Sequence, residues 1–378
     1  MYFFFAALVI AIACSAITIK TLVGYSGMKL VWKVLVSAVI ITGWFGTLII
    51  QFVRQIDGIP LPVYAFITHV LYNLMGFVFI LFIALMLRDI VWYALYGIAK
   101  LLGKDGWHIN PNNMSQLNKA NLIAVAFSIA ISGYALFHGY KVPETREINI
   151  VSDKVKGSLR IVQLSDLHIN RATPVAKVQQ IVSQANLLAP DVIVLTGDTI
   201  DDKIVLIEEQ LKVLKELSAP YGVYSIMGNH EFYHDVYASK RILDSLDLHF
   251  LFNGGTTIGN SNVFIAGIPD LNTMYERLNL WRTLYKSSKD QYKVLLSHTP
   301  TIADSLSKGL IDLVLSGHTH GGQIFPFHLL VKKANSYLAG KYTVNGIDLF
   351  VSRGAGTWGP TMRLFAPADI AVINLSEK

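Results

Sequence analysis

The chain has 378 residues, of which 52% are hydrophobic and 15% charged, too apolar for a soluble protein of this length, so a membrane part is expected beside a catalytic domain. Its formal charge of +6 is no nucleic-acid signature: residues 1–140 hold eight Lys and Arg against three Asp and Glu, leaving 24 against 23 for the remainder. A single cysteine, Cys14, excludes an intramolecular disulfide and any Cys-rich zinc module.

Crossing a bilayer takes about 20 apolar residues in a helix. Four stretches meet that length, at approximately 2–19, 31–53, 63–87 and 120–140. Ala11-Ile12-Ala13-Cys14 faintly resembles a lipoprotein cleavage box, but no Lys or Arg precedes Lys20, so a plain helix cysteine is the expectation. Arg88 and Asp89 are expected to end the third span, with 90–102 continuing at the interface through Trp92, Tyr93, Tyr96 and Lys100.

The first connecting loop carries Lys20, Lys29 and Lys33, and the third carries Arg88, Lys100, Lys104 and Lys119 against Asp89 and Asp105. The second has only Arg54 and Asp57. Cytoplasmic loops are enriched in Lys and Arg, so loops one and three read as cytoplasmic and the C-terminal domain as facing outward. Lys141, Arg146, Lys154, Lys156 and Arg160 after the fourth helix argue the other way, and the cytoplasmic side stays open.

After Lys141 the texture changes. Short apolar runs alternate with helical patterns at 175–188 and 204–217, as in an α/β domain whose strands are buried on both faces. The expected division is 1–141 for a four-helix transmembrane region and 142–378 for a catalytic domain.

What ends each apolar run is chemical. Residues 160–164 run into Ser165-Asp166-Leu167-His168, 192–196 into Gly197-Asp198, and 223–227 into Gly228-Asn229-His230-Glu231. Residues 294–297 end at His298, and 313–316 at Gly317-His318-Thr319-His320. Ligands of open α/β sheets bind outside the carboxyl ends of the strands, where these side chains can converge. Carboxylate and imidazole suit Mn, Fe and Zn. If the chain is extended there, the Asp-x-His and His-x-His pairs face one way, and Gly197, Gly228 and Gly317 allow sharp turns and close approach. Five of the eleven histidines fall in these motifs, whereas His69, His108, His138, His234, His249 and His328 read as structural.

The motifs SDLH, GDTID, GNHE, SHTP and GHTHGGQ, in this order, resemble the calcineurin-like metallophosphoesterase superfamily from about Leu159 onward, and a late SRGAG behind a four-helix membrane part looks like its transmembrane branch. The resemblance implies a two-sheet α/β sandwich with two divalent metal ions, Mn2+ or Zn2+ first, with Fe or Mg as alternatives. By the same resemblance Asp166, His168 and His320 would hold one ion, Asn229, His298 and His318 the other, and Asp198 would bridge them, while His230 would protonate the leaving oxygen or stabilise the transition state. Asp201-Asp202 stands where many members have Asp-Arg or Asp-Asn. Two such ions lower the pKa of a water between them, so the expected reaction is hydroxide attack on a phosphodiester, phosphomonoester or pyrophosphate bond. No Gly-x-Ser-x-Gly elbow and no phosphate-binding Lys-Ser/Thr loop offers another route.

Glu231 and Asp201 are candidate partners for the imidazoles, with an ordinary turn or cap as the alternative, and Asp270 also follows an apolar run, 263–268, although Pro269-Asp270 reads equally well as a turn. Gly354-Ala355-Gly356-Thr357-Trp358-Gly359 has dinucleotide-loop spacing, but Pro360 follows at once, so it reads as a tight loop near the site, with Arg353 a candidate phosphate contact. The expected protein is thus a multi-pass enzyme of a bacterial inner membrane, with the lipid bilayer and a lipid-linked or cell-envelope phosphoester as partners and no nucleic acid. Relatives by resemblance include phosphodiesterases and UDP-2,3-diacylglucosamine pyrophosphatases. The rivals are an inactive metal-binding scaffold that binds a protein and a nuclease; the former could dispense with His230, and the latter would need a basic groove.

Overall fold

A computed structural model describes residues 2–24, 26–56, 58–103, 113–233, 236–271 and 278–378. Asp57, Lys104, Asp105, His108 and His234 lie outside the described residues. The chain forms two compact units, one of Met1–Phe137 with Gly359–Met362, the other of His138–Trp358 with Arg363–Lys378.

The first unit is helical, with α1 Tyr2–Ile19, α2 Leu30–Trp44, α3 Gly46–Val53, α4 Leu61–Leu101 and α5 Met114–Tyr140. Among the described residues three helices are long and apolar enough to cross a membrane, or four if α2 and α3 form one span bent by 66°. The bend is at Phe45, which leaves helical geometry at φ −88°, ψ 0°. Leu22, Ile40, Leu81, Leu85 and Ala124 form a shared apolar core, and Trp44 Nε1 donates to Thr18 Oγ1 at 3.3 Å.

Arg88 and Asp89 do not end a helix. They sit inside α4, whose 41 residues span about 60 Å at 1.5 Å per residue. The reason is pairing: Arg88 donates to Asp89 Oδ1 from Nε at 2.9 Å and from Nη2 at 2.6 Å, and Nη1 donates to Asn121 Oδ1 of α5. Opposite charges that neutralise each other and reach a neighbouring amide remove the cost that would otherwise break an apolar helix.

The second unit carries two six-stranded sheets. The first contains β1 Glu144–Val151, β2 Ser158–Leu164, β3 Val192–Thr196, β4 Val223–Ile226 and β5 Leu248–Phe250; the second contains β6 Gly254–Ile258, β7 Val263–Gly267, β8 Tyr292–Leu296, β9 Leu313–Ser316, β10 Gly340–Val344 and β11 Ile347–Val351. The last strand, β12 Asp369–Ser376, returns to the first sheet, giving the orders β1-β12-β2-β3-β4-β5 and β10-β11-β9-β8-β7-β6. The run β2-β3-β4-β5 is parallel, as is β7-β8-β9-β11.

The sheets pack face to face over Ile161, Val192, Val194, Ile226, Ile265, Val294, Leu296, Leu313 and Leu315, all buried. Burial on both faces explains why β3 and β9 read as unbroken apolar runs. Helix α6 Val175–Leu187 covers the outer face of the first sheet through Val178, Ile181, Val182 and Ala185. The helical pattern at 204–217 is split into a 3-10 turn, the short α7 Glu208–Lys212 and a second 3-10 turn, because Ile207 sits at φ −130°, ψ 16°. The remaining helices are α8 Asn229–Tyr233, α9 Val236–Ser245, α10 Leu280–Leu284 and α11 His328–Asn335. This is the α/β two-sheet sandwich that the motif order implied.

Candidate metal centre

The carboxyl ends of β2, β3, β4, β8 and β9 deliver their polar residues to one place. Asp166, His168 and His320 form one cluster of candidate ligand atoms, Asp198, His298 and His318 a second, and His168, Asp198 and His230 a third that overlaps both. Asp198 Oδ2 lies 3.1 Å from His298 Nε2, 3.7 Å from His168 Nε2 and 4.0 Å from His230 Nε2. His320 Nε2 lies 3.5 Å from Asp166 Oδ1. Residues as far apart in sequence as Asp166 and His320 therefore share one rim.

The backbone there is not extended. Asp166, His168, Asp198, His318 and His320 all take positive φ, between 46° and 73°. The Asp-x-His and His-x-His pairs thus aim together through left-handed turns. Such conformations are costly for residues with a Cβ and persist where the surroundings fix them, often at functional sites. Neighbouring loops supply that fixing: Asp166 N donates to Gly197 O at 3.0 Å, His168 N to Asp198 O at 2.9 Å, and His318 N to both Asp166 oxygens at 3.0 and 3.1 Å. The glycines make room, since a Cβ on Gly228 would collide with the Asp198 carboxylate and one on Gly317 with Ser165 and Asp166.

Nitrogens face each other across the centre, His168 Nε2 and His320 Nε2 at 2.9 Å, His318 Nδ1 and His298 Nε2 at 3.2 Å. Burial, then the neighbouring His230, pushes His168 down to about 4; burial and His298 push His318 to about 4; burial, His168 and Arg363 hold His320 well below its usual range. Neutral imidazole is the form that ligates metal. Asp166 is raised to about 6, by burial first and also by Asp198. For Asp198, burial works upward but is overcome by His298, which holds the carboxylate well below its usual range, and Asp198 in turn raises His298 against the effect of its own burial.

Asn229 opens α8. Its Nδ2 donates to Tyr233 Oη at 3.1 Å, while its buried Oδ1 accepts no hydrogen bond. His168 Nδ1 is likewise buried without a hydrogen-bond partner, with Asp201 Oδ2 3.8 Å away. Orphaned acceptors among convergent carboxylates and neutral imidazoles are what hard-to-intermediate divalent cations require. The residues present fit a dinuclear centre.

The family described as calcineurin-like phosphoesterase matches residues 159–322. An uncharacterised metallophosphoesterase of Helicobacter pylori is 35% identical over 266 residues, covering 68% of this chain and 71% of that protein. One of Campylobacter jejuni is 33% identical over 265 residues, covering 68% and 70%. The chain belongs to the calcineurin-like phosphoesterases. A protein of Danio rerio described as a transmembrane protein with metallophosphoesterase domain is 29% identical over 276 residues, covering 68% of this chain and 63% of its own length. The chain is accordingly a metal-dependent phosphoesterase, a hydrolase.

Around this phosphoesterase centre other residues fall into place. His230 Nδ1 lies 2.7 Å from Asp201 Oδ1; burial opposes its protonation, but Asp201 and Asp198 raise it above its usual range. Its backbone N–H donates to Asp198 Oδ1 at 2.9 Å, and its ring is flanked by Tyr233 and Trp358 at 5.1 and 6.2 Å between centroids. Among the described residues Glu231 is hydrogen-bonded to backbone rather than to an imidazole. Wholly buried, it accepts from the N–H groups of Asp198, Thr199, Ile200 and Gly228 at 2.6–3.1 Å, and burial followed by Asp198 raises it to about 7. Asp270 is buried and accepts from Thr299 Oγ1 at 2.7 Å.

The Gly354–Gly356 segment packs under the site, with Ala355 N on Ser165 O at 2.9 Å and Gly356 N on Asp166 O at 3.1 Å. Arg353 runs along Gly321, and its Nη1 is buried without a hydrogen-bond partner. Sequence reasoning missed Arg363. Fully buried, it donates to the carbonyls of His320, Ala366, Arg353, Gly354 and Gly356. Only its presence in an apolar run, Met362 to Ala366, could have marked it.

Proposed function

We propose that this hydrolase is membrane-anchored, with residues 1–141 as the anchor and 142–378 as the catalytic domain, and that it cleaves a phosphodiester or pyrophosphate bond of a lipid-linked or cell-envelope substrate. One ion would sit on Asp166, His168 and His320, the other on Asn229, His298 and His318, with Asp198 between them, Mn2+ or Zn2+ being the preferred ions. The observation that carries this is the membership of Asp198 in ligand clusters on both sides. When bound, the ions supply Lewis-acid activation of water and neutralise phosphoryl charge.

The chain's own groups do the rest. Asp201 holds the His230 ring through Nδ1, which leaves Nε2 directed at the centre, 4.0 Å from Asp198 Oδ2, to give a proton to the departing oxygen. Glu231 fixes the backbone that presents Asp198. Arg353 is placed to meet a phosphate oxygen through its unpartnered Nη1. A scaffold that had lost catalysis would have no use for the His230–Asp201 pair.

Chelator-stripped full-length protein titrated calorimetrically with Mn2+ or Zn2+ should take two equivalents and regain hydrolysis of bis(4-nitrophenyl) phosphate; one equivalent, or no turnover, rejects the assignment. His230→Ala should slow substrates with poor leaving groups more than activated aryl esters, and equal losses would remove its acid role. The outward-facing orientation in a bacterial inner membrane predicts that Ser152→Cys in a Cys14→Ser background is labelled by an impermeant maleimide in intact cells.

A further inference from the structure

Directly after the metal-loop sequence His318-Thr319-His320 the chain exposes an apolar surface that neither the fold nor the catalytic centre uses. Phe325 is 44% exposed, Leu329 61%, Leu330 62% and Phe365 68%. Phe325 packs edge-on against Phe365 at 5.7 Å between centroids and stacks on His328 at 4.9 Å, so these three rings are preset, and the exposed Leu329 and Leu330 follow His328 directly on α11. Exposed apolar patches of this kind mark interaction sites.

The charge along this segment is one-sided. Between Asp312 and Asp348 there is no acidic residue, and Lys332 and Lys333 in the last turn of α11 are exposed, neither pairing with a carboxylate among the described residues. Aromatic and leucine side chains bordered by lysines are the composition of surfaces that enter the headgroup region of an anionic bilayer, where the apolar groups bury and the lysines meet lipid phosphate. Connectivity supplies the lipid: three residues separate α5, long and apolar enough to span a membrane, from β1.

The patch is also wired to the catalytic loops. Ile324 and Leu364 form a parallel bridge, Phe325 N donates to Leu364 O at 3.2 Å, and Leu364 N donates to Gln323 O at 2.8 Å. Gln323 in turn holds the Trp358 backbone at both ends, with Nε2 on Trp358 O and Oε1 on Trp358 N at 2.9 Å each. Trp358 flanks His230. Seating the patch therefore fixes the rim of the metal centre relative to the seat.

Resting on the reading of the centre as a hydrolase of membrane-borne phosphoesters, we propose that Phe325, Leu329, Leu330 and Phe365, with Lys332 and Lys333, form a surface that docks on an anionic lipid bilayer, so that the enzyme takes substrates whose phosphate lies at the headgroup level.

The test uses full-length Cys14→Ser protein in nanodiscs holding one copy each, made with or without phosphatidylglycerol. Leu330→Cys labelled with an environment-sensitive dye should be quenched by headgroup nitroxide lipid and shielded from aqueous iodide, more strongly with phosphatidylglycerol. A dye on Leu187→Cys, on α6 and 84% exposed, should stay open to iodide. Iodide access at Leu330→Cys equal to that at Leu187→Cys would overturn the proposal, as would shielding that appears only when two copies share a disc, which would make the occupant a second chain. In the same discs, paired Leu329→Glu and Leu330→Glu substitutions should lower turnover of a bilayer-embedded phosphodiester at least tenfold while leaving bis(4-nitrophenyl) phosphate unchanged; unchanged turnover of the embedded ester is the opposing result. Hydrolysis of the soluble ester by unsubstituted protein checks the hydrolase reading separately, since its loss leaves the dye measurements intact.

Discussion

The two sides of the metal centre are built differently. On one side Asp166, His168 and His320 are 0%, 2% and 6% exposed, with the loop of His320 tied down by the guanidinium of Arg363. On the other side His298 is fully buried, but His318 and Asn229 are only partly covered, and Asn229 is steadied by an exposed tyrosine. The difference teaches that a dinuclear site can pair a rigid half with a half open to substrate and solvent. Ligands locked by packing hold geometry, while partly exposed ones leave room for exchange. Asp198 is proposed to serve both halves, so Asp198→Asn is expected to erase the contrast: hydrolysis of bis(4-nitrophenyl) phosphate should fall about a thousandfold or more. Metal analysis of the purified variant should show both equivalents reduced. Loss of one alone would mean that the halves do not share the carboxylate.

How much of this was legible follows the same division between what is local in sequence and what is not. Each candidate ligand except His298 sits within two residues of another or next to a glycine, and all follow the end of an apolar run, so motif and strand end are read together, and β3 and β9 came out residue for residue. Burial on both faces makes such strands continuous in hydropathy, which is why they stand out. Arg363 is the opposite case. Its five carbonyl partners come from three places, His320, the segment Arg353 to Gly356 and Ala366, and no spacing rule links a lone arginine to them. Arg88 and Asp89 misled for a related reason: a charged pair looks like a helix end until Asn121, on another helix, is seen to take up the remaining donor. The left-handed backbone of the candidate ligands was also hidden, because Asp and His, although enriched at positive φ, take it too rarely for the residue type to mark it.

The next predictions sharpen the contrast between the halves. Asp166→Asn should remove one metal equivalent and slow hydrolysis by about two orders of magnitude, since the substitution weakens a buried ligand whose two oxygens also hold His318 N. Asn229→Ala should cost roughly tenfold to a hundredfold and make the open-side equivalent leave faster into chelator. Stopped-flow exchange with a coloured chelator checks both, and a single shared release rate in the unsubstituted protein would deny that the halves differ. Arg363→Met is expected to lower metal affinity by about tenfold on the buried side alone, because the carbonyls of His320, Gly354 and Gly356 lose their common donor. Arg363→Lys should not restore it, since a single ammonium cannot reach acceptors arranged around a planar fork. Full rescue by lysine would reduce Arg363 to a counter-charge.

The smallest effect is expected on the open side, where the support of Asn229 is itself wet. Tyr233 is 69% exposed, and its hydroxyl accepts from Asn229 Nδ2 at 3.1 Å. A net hydrogen bond of this kind contributes about 1 kcal/mol, and here water can replace the lost partner at little cost. Tyr233→Phe should therefore weaken the open-side equivalent by about fivefold at most, with the buried equivalent and the leaving-group dependence of hydrolysis unchanged. The ring remains to pack against His230, so the proton-donating geometry is preserved. Calorimetric titration resolves the two affinities. A larger loss, or one that falls on the equivalent of Asp166, His168 and His320, would show that the exposed tyrosine anchors the whole centre and that the rigid half owes its geometry to something other than burial.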